Sequence, residues 1–315
     1  MKQLLTRFAS YLPLFVGIAI LAIAAPLVPW DKVWPYLTRL TPLTLLALLG
    51  LSAIFYFGRI LRYWLMLRML EEPVAFGKVA LACLVAQPVA VLPGGEMYRS
   101  SMLKRYGNVS KVHGIPSVFA QSIAESVGLT VIALIGATII RKYFELLVII
   151  AVLFTLILLY VRWHNTRKSH KIVNRLPFVS INYRRLKSFL EKNRILLTGR
   201  NFFVLVAASY VSTFAGIGIV YVCATAFGAN LDLFQAAIAY ALPVALESVS
   251  FLPGGLGVNE GGSISIFTLF GLALPLAVAI TLITRLFTLG IGFVFGFGAV
   301  AWAHLGGYRR YDHSS

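Results

Sequence analysis

The sequence predicts an all-α polytopic membrane protein with about six transmembrane helices and two oppositely oriented re-entrant helical segments forming an inverted repeat. Three observations carry that expectation. Hydrophobic residues make up 59% of the chain and charged ones only 12%, which is not the balance of a soluble domain. Lys and Arg cluster between apolar runs, and the whole stretch from Asn201 to Thr284 contains neither. Finally, Leu-Pro-Gly-Gly occurs at Leu92 to Gly95 and again at Leu252 to Gly255, 160 positions later. Paired Gly/Pro interruptions in two halves of a membrane protein point to the broken helices of a transport site.

The elements follow in order from apolar length and flanking charge. Lys2 and Arg7 precede a first span at roughly 11–29, read as retained because no convincing small-residue cleavage site follows it. Trp30-Asp31-Lys32 and Trp34-Pro35 mark an interfacial turn. A second span, roughly 42–66, ends among Arg59, Arg62 and Arg68, which look cytoplasmic, with Arg59 and Arg62 read as snorkelling residues. The short apolar run 76–95 ends at the first Leu-Pro-Gly-Gly and is followed by Arg99, Lys104, Arg105 and Lys111. Both of its ends look cytoplasmic, so it should dip into the membrane and return. Span three covers about 116–140 with Gln121 and Glu125 inside, and Arg141, Lys142 and Glu145 form a brief outer turn. Span four, about 146–161, leads to the loop 162–200, whose eleven Lys/Arg against one Glu make it cytoplasmic. Around Tyr183 to Arg194 that loop has the pattern of an amphipathic surface helix. Span five is about 201–226; the run 233–252, broken by Pro243, should enter from outside; a short helix at about 263–272 precedes the last span at about 275–303. Arg309 and Arg310 then place the C-terminus inside. The result is one membrane domain over 1–315, with repeat one at about 1–145, repeat two at about 200–305, and both termini cytoplasmic. Eight ordinary spans also keep both termini inside, but would put Arg99, Lys104 and Arg105 outside.

The formal charge is 28 − 11 = +17. Because the cations sit in loops between apolar spans, positive-inside topology explains them and nucleic-acid binding does not. Cys83 and Cys223 lie in apolar stretches and the five histidines show no ligand spacing, so neither a disulfide framework nor a metal site is expected. No cofactor is implied either: phosphate-binding glycine loops and clustered Asp pairs are missing.

Function should sit at the two breaks. A helix cannot pass cleanly through Pro253-Gly254-Gly255, and in hydrocarbon a broken helix survives only where protein buries it or a polar cavity is lined by it. The amides of Gly254, Gly255 and Gly257 and the N-terminus of the next helix could face an anion; tight helix packing would also select glycine there. Glu96 and Arg99 follow the first break at a spacing of three, and Glu260 holds the matching place after the second. Either Glu96 and Arg99 pair locally or Arg99 meets an anionic headgroup that Glu96 orients. Glu125, Glu247 and Arg285 fall inside predicted spans or dips, where each costs roughly 2.5–3.5 kcal/mol on insertion scales unless paired or functional. Arg285 is the one Lys or Arg between Arg200 and Arg309; its candidate partners are Glu247, Glu260, Glu125 or a substrate phosphate. Asn259 and Gln87 either add hydrogen bonding to a substrate or satisfy the backbone of a broken helix.

The pair Leu92-Pro-Gly-Gly-Glu-Met-Tyr-Arg99 and Leu252-Pro-Gly-Gly-Leu-Gly-Val-Asn-Glu260, followed by Arg285, resembles the transmembrane flippase domain of lysylphosphatidylglycerol synthase and the stand-alone UPF0104 YbhN-like membrane proteins. The likeness covers nearly the whole chain. It implicates Pro93, Gly94, Glu96, Arg99, Pro253, Gly255, Gly257, Glu260 and Arg285. It also implies flipping of an anionic or aminoacylated phospholipid, or of a polyprenyl-phosphate-linked lipid. Two departures stand out: Glu125-Ser126 replaces the Glu-Arg of the family's third span, and the soluble aminoacyl-transfer domain is absent, so the chain is not a synthase on its own. With Gly95, Glu125, Glu247, Gly254 and Asn259 added from the residues themselves, these form the expected substrate site. A homodimer and a lipid-modifying enzyme are candidate partners. The alternative is an intramembrane enzyme or accessory subunit acting on lipid-linked sugars.

Overall fold

A computed structural model describes residues 30–90, 95–109, 111–139, 152, 183–250 and 253–305. The predicted spans at 11–29 and 146–161, the turn at Arg141 to Glu145, most of the basic loop, Pro93 and Gly94, and Arg309 and Arg310 lie outside the described residues.

Among the described residues the regular structure is helical: α1 Trp30–Leu37, α2 Pro42–Met69, α3 Phe76–Ala90, α4 Gly95–Gly107, α5 Lys111–Ile139, α6 Tyr183–Leu197, α7 Gly199–Ala226, α8 Leu233–Ser250, α9 Val258–Leu269, α10 Leu274–Arg285 and α11 Ile291–Leu305. A 3-10 turn, Pro253–Gly255, lies between α8 and α9, and a π turn, Leu286–Gly290, joins α10 to α11 into one rod. Pro42–Met69, Gly199–Ala226 and Leu274–Leu305 are long and apolar enough to cross a membrane, and shorter apolar helices fill the space between them. Outward-facing Leu43, Leu46, Phe203, Phe214, Val294, Phe297 and Trp302 are well exposed. In water that belt would be a liability; against hydrocarbon it is the expected surface.

Local chemistry accounts for the boundaries. Thr41 caps α2 by accepting the Thr44 N–H at 3.2 Å, with Pro42 in the first turn where it sacrifices no hydrogen bond. The carbonyl of Phe227, just past α7, accepts from Arg39 at 3.0 Å, which satisfies one orphan acceptor of that helix end. Two boundaries differ from expectation. Trp30 to Leu37 is a helix and not a turn, packed on α10 and with the Tyr36 ring tilted against that of Phe227. The helix after the second break begins at Val258, five residues early, because the Glu260 carboxylate reaches back to the Gly257 N–H.

The packing has a regular scheme. Take α2, α3, α4, α5 as one set and α7, α8, α9, α10–α11 as the other. Within each set the second and third helices form a hairpin, the first packs on the second, and the third packs on the fourth. Between sets α2 lies along α7, the hairpin helix α3 packs on α11, and the hairpin helix α8 packs on α5. Exchanging the sets maps every one of these contacts onto another. Small residues permit the close crossings. A Cβ on Gly58 would stand 2.7 Å from the Ser212 backbone nitrogen, and one on Gly296 would meet the Pro88 ring and the Leu84 carbonyl. The α6 helix found at Tyr183–Leu197 buries Leu196 and Leu197 in a core shared by the first set, the start of α7 and the end of α11.

Candidate functional site

The second break folds around Arg285. Gly254 and Gly255 take positive φ, 59° and 64°, in the turn that reverses the chain between α8 and α9. Arg285, at the end of α10, donates through Nε to Glu260 Oε1 at 2.6 Å and through Nη2 to the Gly254 carbonyl at 2.6 Å. Its Nη1 stands 3.5 Å from Glu247 Oε2, and the Asn259 amide donates to that same oxygen at 2.5 Å. The other oxygen of Glu260 accepts the Gly257 N–H at 2.7 Å. Four side chains therefore tie α8, the turn, α9 and α10 together. Their exposure is low, 13% for Arg285, 24% for Glu247 and 26% for Glu260. The expectation that free glycine amides and the α9 N-terminus face an anion is modified here: Glu260 already fills that position from within the chain.

The first break is organised differently. Gly95 opens α4 so close to the end of α3 that a Cβ there would overlap the Val89 carbonyl, and only glycine fits. Pro93, Gly94 and the side chain of Glu96 lie outside the described residues. Arg99 is 3% exposed, donates to Gln121 Oε1 at 3.1 Å and lies over the Tyr63 ring at 5.3 Å. Glu125 pairs with Arg62 at 2.8 Å and not with Arg285. Arg62 is fully buried, and Arg59 lines a small cavity with Tyr56, Ile60, Cys83, Leu84, Gln87 and Arg99. Neither arginine is a snorkelling residue: α2 turns both toward the other helices. The electrostatic reach of Arg59 and Arg99 extends to both Arg62 and Glu125.

The two clusters face a common interior. Tyr56 lies within electrostatic reach of Arg59, Arg99 and Arg285, and Glu247 within reach of Arg59. A physical bridge joins them. The π turn that begins directly after Arg285 frees backbone carbonyls from regular helical bonding, and two hydroxyls of α2 take them up. Ser52 Oγ donates to the Phe287 carbonyl at 2.7 Å and Tyr56 Oη to that of Thr288 at 2.6 Å. On α2 the positions 52, 56, 59 and 63 fall on one face, so the bridge and the cationic cluster share one side of one helix. Gly292 leaves the room that Tyr56 and Gln87 occupy.

Sequence reasoning thus placed Glu247, Gly254, Gly255, Gly257, Asn259, Glu260 and Arg285 in one neighbourhood, and the structure brings them together. It missed Arg59, Arg62 and Tyr56. The signal that could have found Arg62 was Glu125: a carboxylate within a span needs a cation, and the nearest arginines of the same half were on α2.

The profile of a protein family described as the lysylphosphatidylglycerol synthase TM region matches residues 11–296. A UPF0104 membrane protein of Methanothermobacter thermautotrophicus is 28% identical over 236 residues, covering 66% of this chain and 69% of that relative.

Proposed function

From a chain that belongs to the lysylphosphatidylglycerol synthase transmembrane family, we propose a lipid transporter that moves a phosphate-bearing headgroup between leaflets of the cytoplasmic membrane. The observation that carries this reading is the exchange of packing partners between the two sets. Each broken hairpin rests on the last span of the opposite set, α3 on α11 and α8 on α5, with charged clusters at both breaks. Such an arrangement supports an inverted repeat of six spans and two re-entrant hairpins, in which rocking one set against the other exposes the interior to alternate sides; the basic loops favour cytoplasmic termini. Lipid tails stay in hydrocarbon while the headgroup crosses through the polar interior. The reading assigns no bond-making chemistry to the chain.

The test is a sidedness assay in proteoliposomes with labelled phosphatidylglycerol, lysyl-phosphatidylglycerol and a polyprenyl phosphate. We expect translocation of one class by the wild type and its loss in Arg285→Ala and Glu260→Gln, whose side chains fix the second break. Folded protein that translocates none of the three would sink the proposal. A chemically altered lipid recovered instead of a flipped one would favour an intramembrane enzyme.

A further inference from the structure

The two halves match position by position at several points, and one matched pair differs in its ability to bind a proton. The Leu-Pro-Gly-Gly motifs stand 160 positions apart, and the same shift relates Leu51 to Val211, Gly58 to Gly218, Glu125 to Arg285 and Gln87 to Glu247. Packing obeys the shift where α2 crosses α7. A Cβ on Gly58 would stand 3.0 Å from Val211 Cγ1, and one on Gly218 would stand 3.2 Å from Leu51 Cδ2. Gln87 and Glu247 thus hold matching places on α3 and α8, each five residues ahead of its motif. Gln87, 6% exposed, fills its place as a neutral amide, so the shape of such a hairpin does not call for a carboxylate there.

We propose that Glu247 is a proton site through which headgroup movement is coupled to a pH difference across the membrane. The coupling rests on the transport reading, whereas the proton site stands on the geometry of the second break. Arg285 is committed through Nε to Glu260 and through Nη2 to the Gly254 carbonyl, both at 2.6 Å, and stands 3.5 Å from Glu247. Of the two carboxylates around that guanidinium, Glu247 is the one it holds less closely. The Glu247 side chain is 24% exposed, enough for water to deliver a proton.

The charges that reach Glu247 come from three other helices: Arg285 from α10, Glu260 from α9 and Arg59 from α2. Asn259 of α9 donates to its Oε2, and the Tyr240 hydroxyl of its own helix lies within its electrostatic reach. Of the other helices packed on α8, α5 brings Glu125 within reach of Tyr240, and α7 carries no Asp, Glu, Lys or Arg beyond Arg200 in its first turn. Arg59 is what ties protonation to movement. Its helix and α8 belong to opposite sets and share no extensive packing, so rocking one set against the other changes the distance from Arg59 to Glu247. A carboxylate that loses a neighbouring cation binds a proton more readily. By linkage, the bound proton favours the arrangement in which Arg59 has withdrawn. Glu247 takes its proton from water on one side of the membrane and returns it to water on the other. Because Gln87 cannot titrate, the first break has no matching site, and only one hairpin carries the proton.

Two readouts separate the site from its coupling. Dicyclohexylcarbodiimide, an apolar reagent that modifies carboxyls in their protonated form, should label Glu247 of the purified full-length protein faster as pH falls, with Glu125 and Glu260 spared. Peptide mass spectrometry reads that site without reference to any lipid. In proteoliposomes holding labelled phosphatidylglycerol, lysyl-phosphatidylglycerol or a polyprenyl phosphate, a pH difference should change the flipping rate of the transported class several-fold. Glu247→Gln should flip at one rate with and without the gradient, and Glu247→Asp should restore the dependence. A Glu247 that escapes modification at every pH, or modification of Glu260 in its place, would overturn the proton site. Flipping by the wild type that ignores the gradient would overturn the coupling. Modification of Glu247 in a protein that flips none of the three lipids would instead keep the proton site and remove the transport reading.

Discussion

The same tetrapeptide stands at both breaks, but the surrounding charges do opposite things. Behind Pro253-Gly254-Gly255, carboxylates outnumber cations: Glu247 and Glu260 close on Arg285, and the turn is held by bonds that begin and end within a short stretch of chain. Near Gly95, cations outnumber the described carboxylate, and they come from α2 and α4, far apart in sequence. The second cluster is arranged to fix a shape. The first joins helices far apart in sequence, through the Arg62–Glu125 pair between α2 and α5 and the Arg99–Gln121 bond between α4 and α5. A repeat of motif is therefore not a repeat of role.

The strongest way to break this comparison is to remove Arg62. It is fully buried and stands 2.8 Å from Glu125. Taking away the one cation in direct contact with Glu125 leaves it only the electrostatic influence of Arg59 and Arg99, at a cost that approaches the about 3–5 kcal/mol of a broken buried pair. Arg62→Met should lower thermal stability in detergent by that order, and Arg62→Met with Glu125→Leu should recover much of it, because both charges then leave together. Glu247→Gln in the partly exposed second cluster should cost less, since Arg285 retains Glu260. If Glu247→Gln destabilises as much as Arg62→Met, the contrast between a locally closed cluster and one that joins distant helices fails.

The legible and illegible parts of this site divide along the same line. Spans α2, α7 and α10–α11 were readable because apolar length and loop charge are local properties. So was the second break, whose Gly254, Gly255, Gly257, Asn259 and Glu260 lie within seven positions. Even Arg285 stood out as the lone cation of a long apolar region. Arg62 did not, because it shares the end of an apolar run with Arg59 and Arg68, and nothing local distinguishes a residue facing a headgroup from one facing another helix. Arg68 does stay exposed, over the Trp64 ring at 4.9 Å. What sets Arg62 apart is Glu125 on α5 and the tight crossing of α2 on α7, both properties of the packed molecule. The start of α9 was misplaced for a smaller reason: five glycines within eleven residues read as one long break, although Glu260 starts a helix in their midst.

A finer probe asks whether the second cluster depends on the turn that it encloses. Gly255 and Gly257 both hold positive φ, 64° and 86°. Left-handed backbone costs a residue with a side chain roughly 1–2 kcal/mol. At Gly257, where φ 86° and ψ −45° lie near the strained γ-turn region, nothing lies within 4 Å of an added Cβ, so Gly257→Ala should cost backbone strain alone, at the upper end of that range or above it. At Gly255 the Cβ would fall within the Glu247 carboxylate, so Gly255→Ala should cost more and displace Glu247 from Asn259 and Arg285. Unfolding temperatures of the two variants side by side give the comparison. Equal losses would mean that Glu247 is not held where the geometry puts it.

The last probe, read in rate more than in stability, is aimed where the two clusters connect. Tyr56→Phe keeps the ring contacts with Phe55 and Phe295, at 5.4 and 5.5 Å between centroids, and removes one hydroxyl. The Thr288 carbonyl then loses its cross-helix donor, a loss of about 1–3 kcal/mol for a buried acceptor left unsatisfied. If the π turn is merely packed, the variant should flip lipid at the wild-type rate once corrected for folded protein. If α2 and the π turn move as one body, carrying Arg59 and Arg285 together, the rate should fall several-fold while the unfolding temperature shifts only slightly. Ser52→Ala, which releases the neighbouring Phe287 carbonyl, should act in the same direction, and the double variant should add little in rate to either single one. Independent losses from the two substitutions would separate the clusters mechanically and leave each break to act alone.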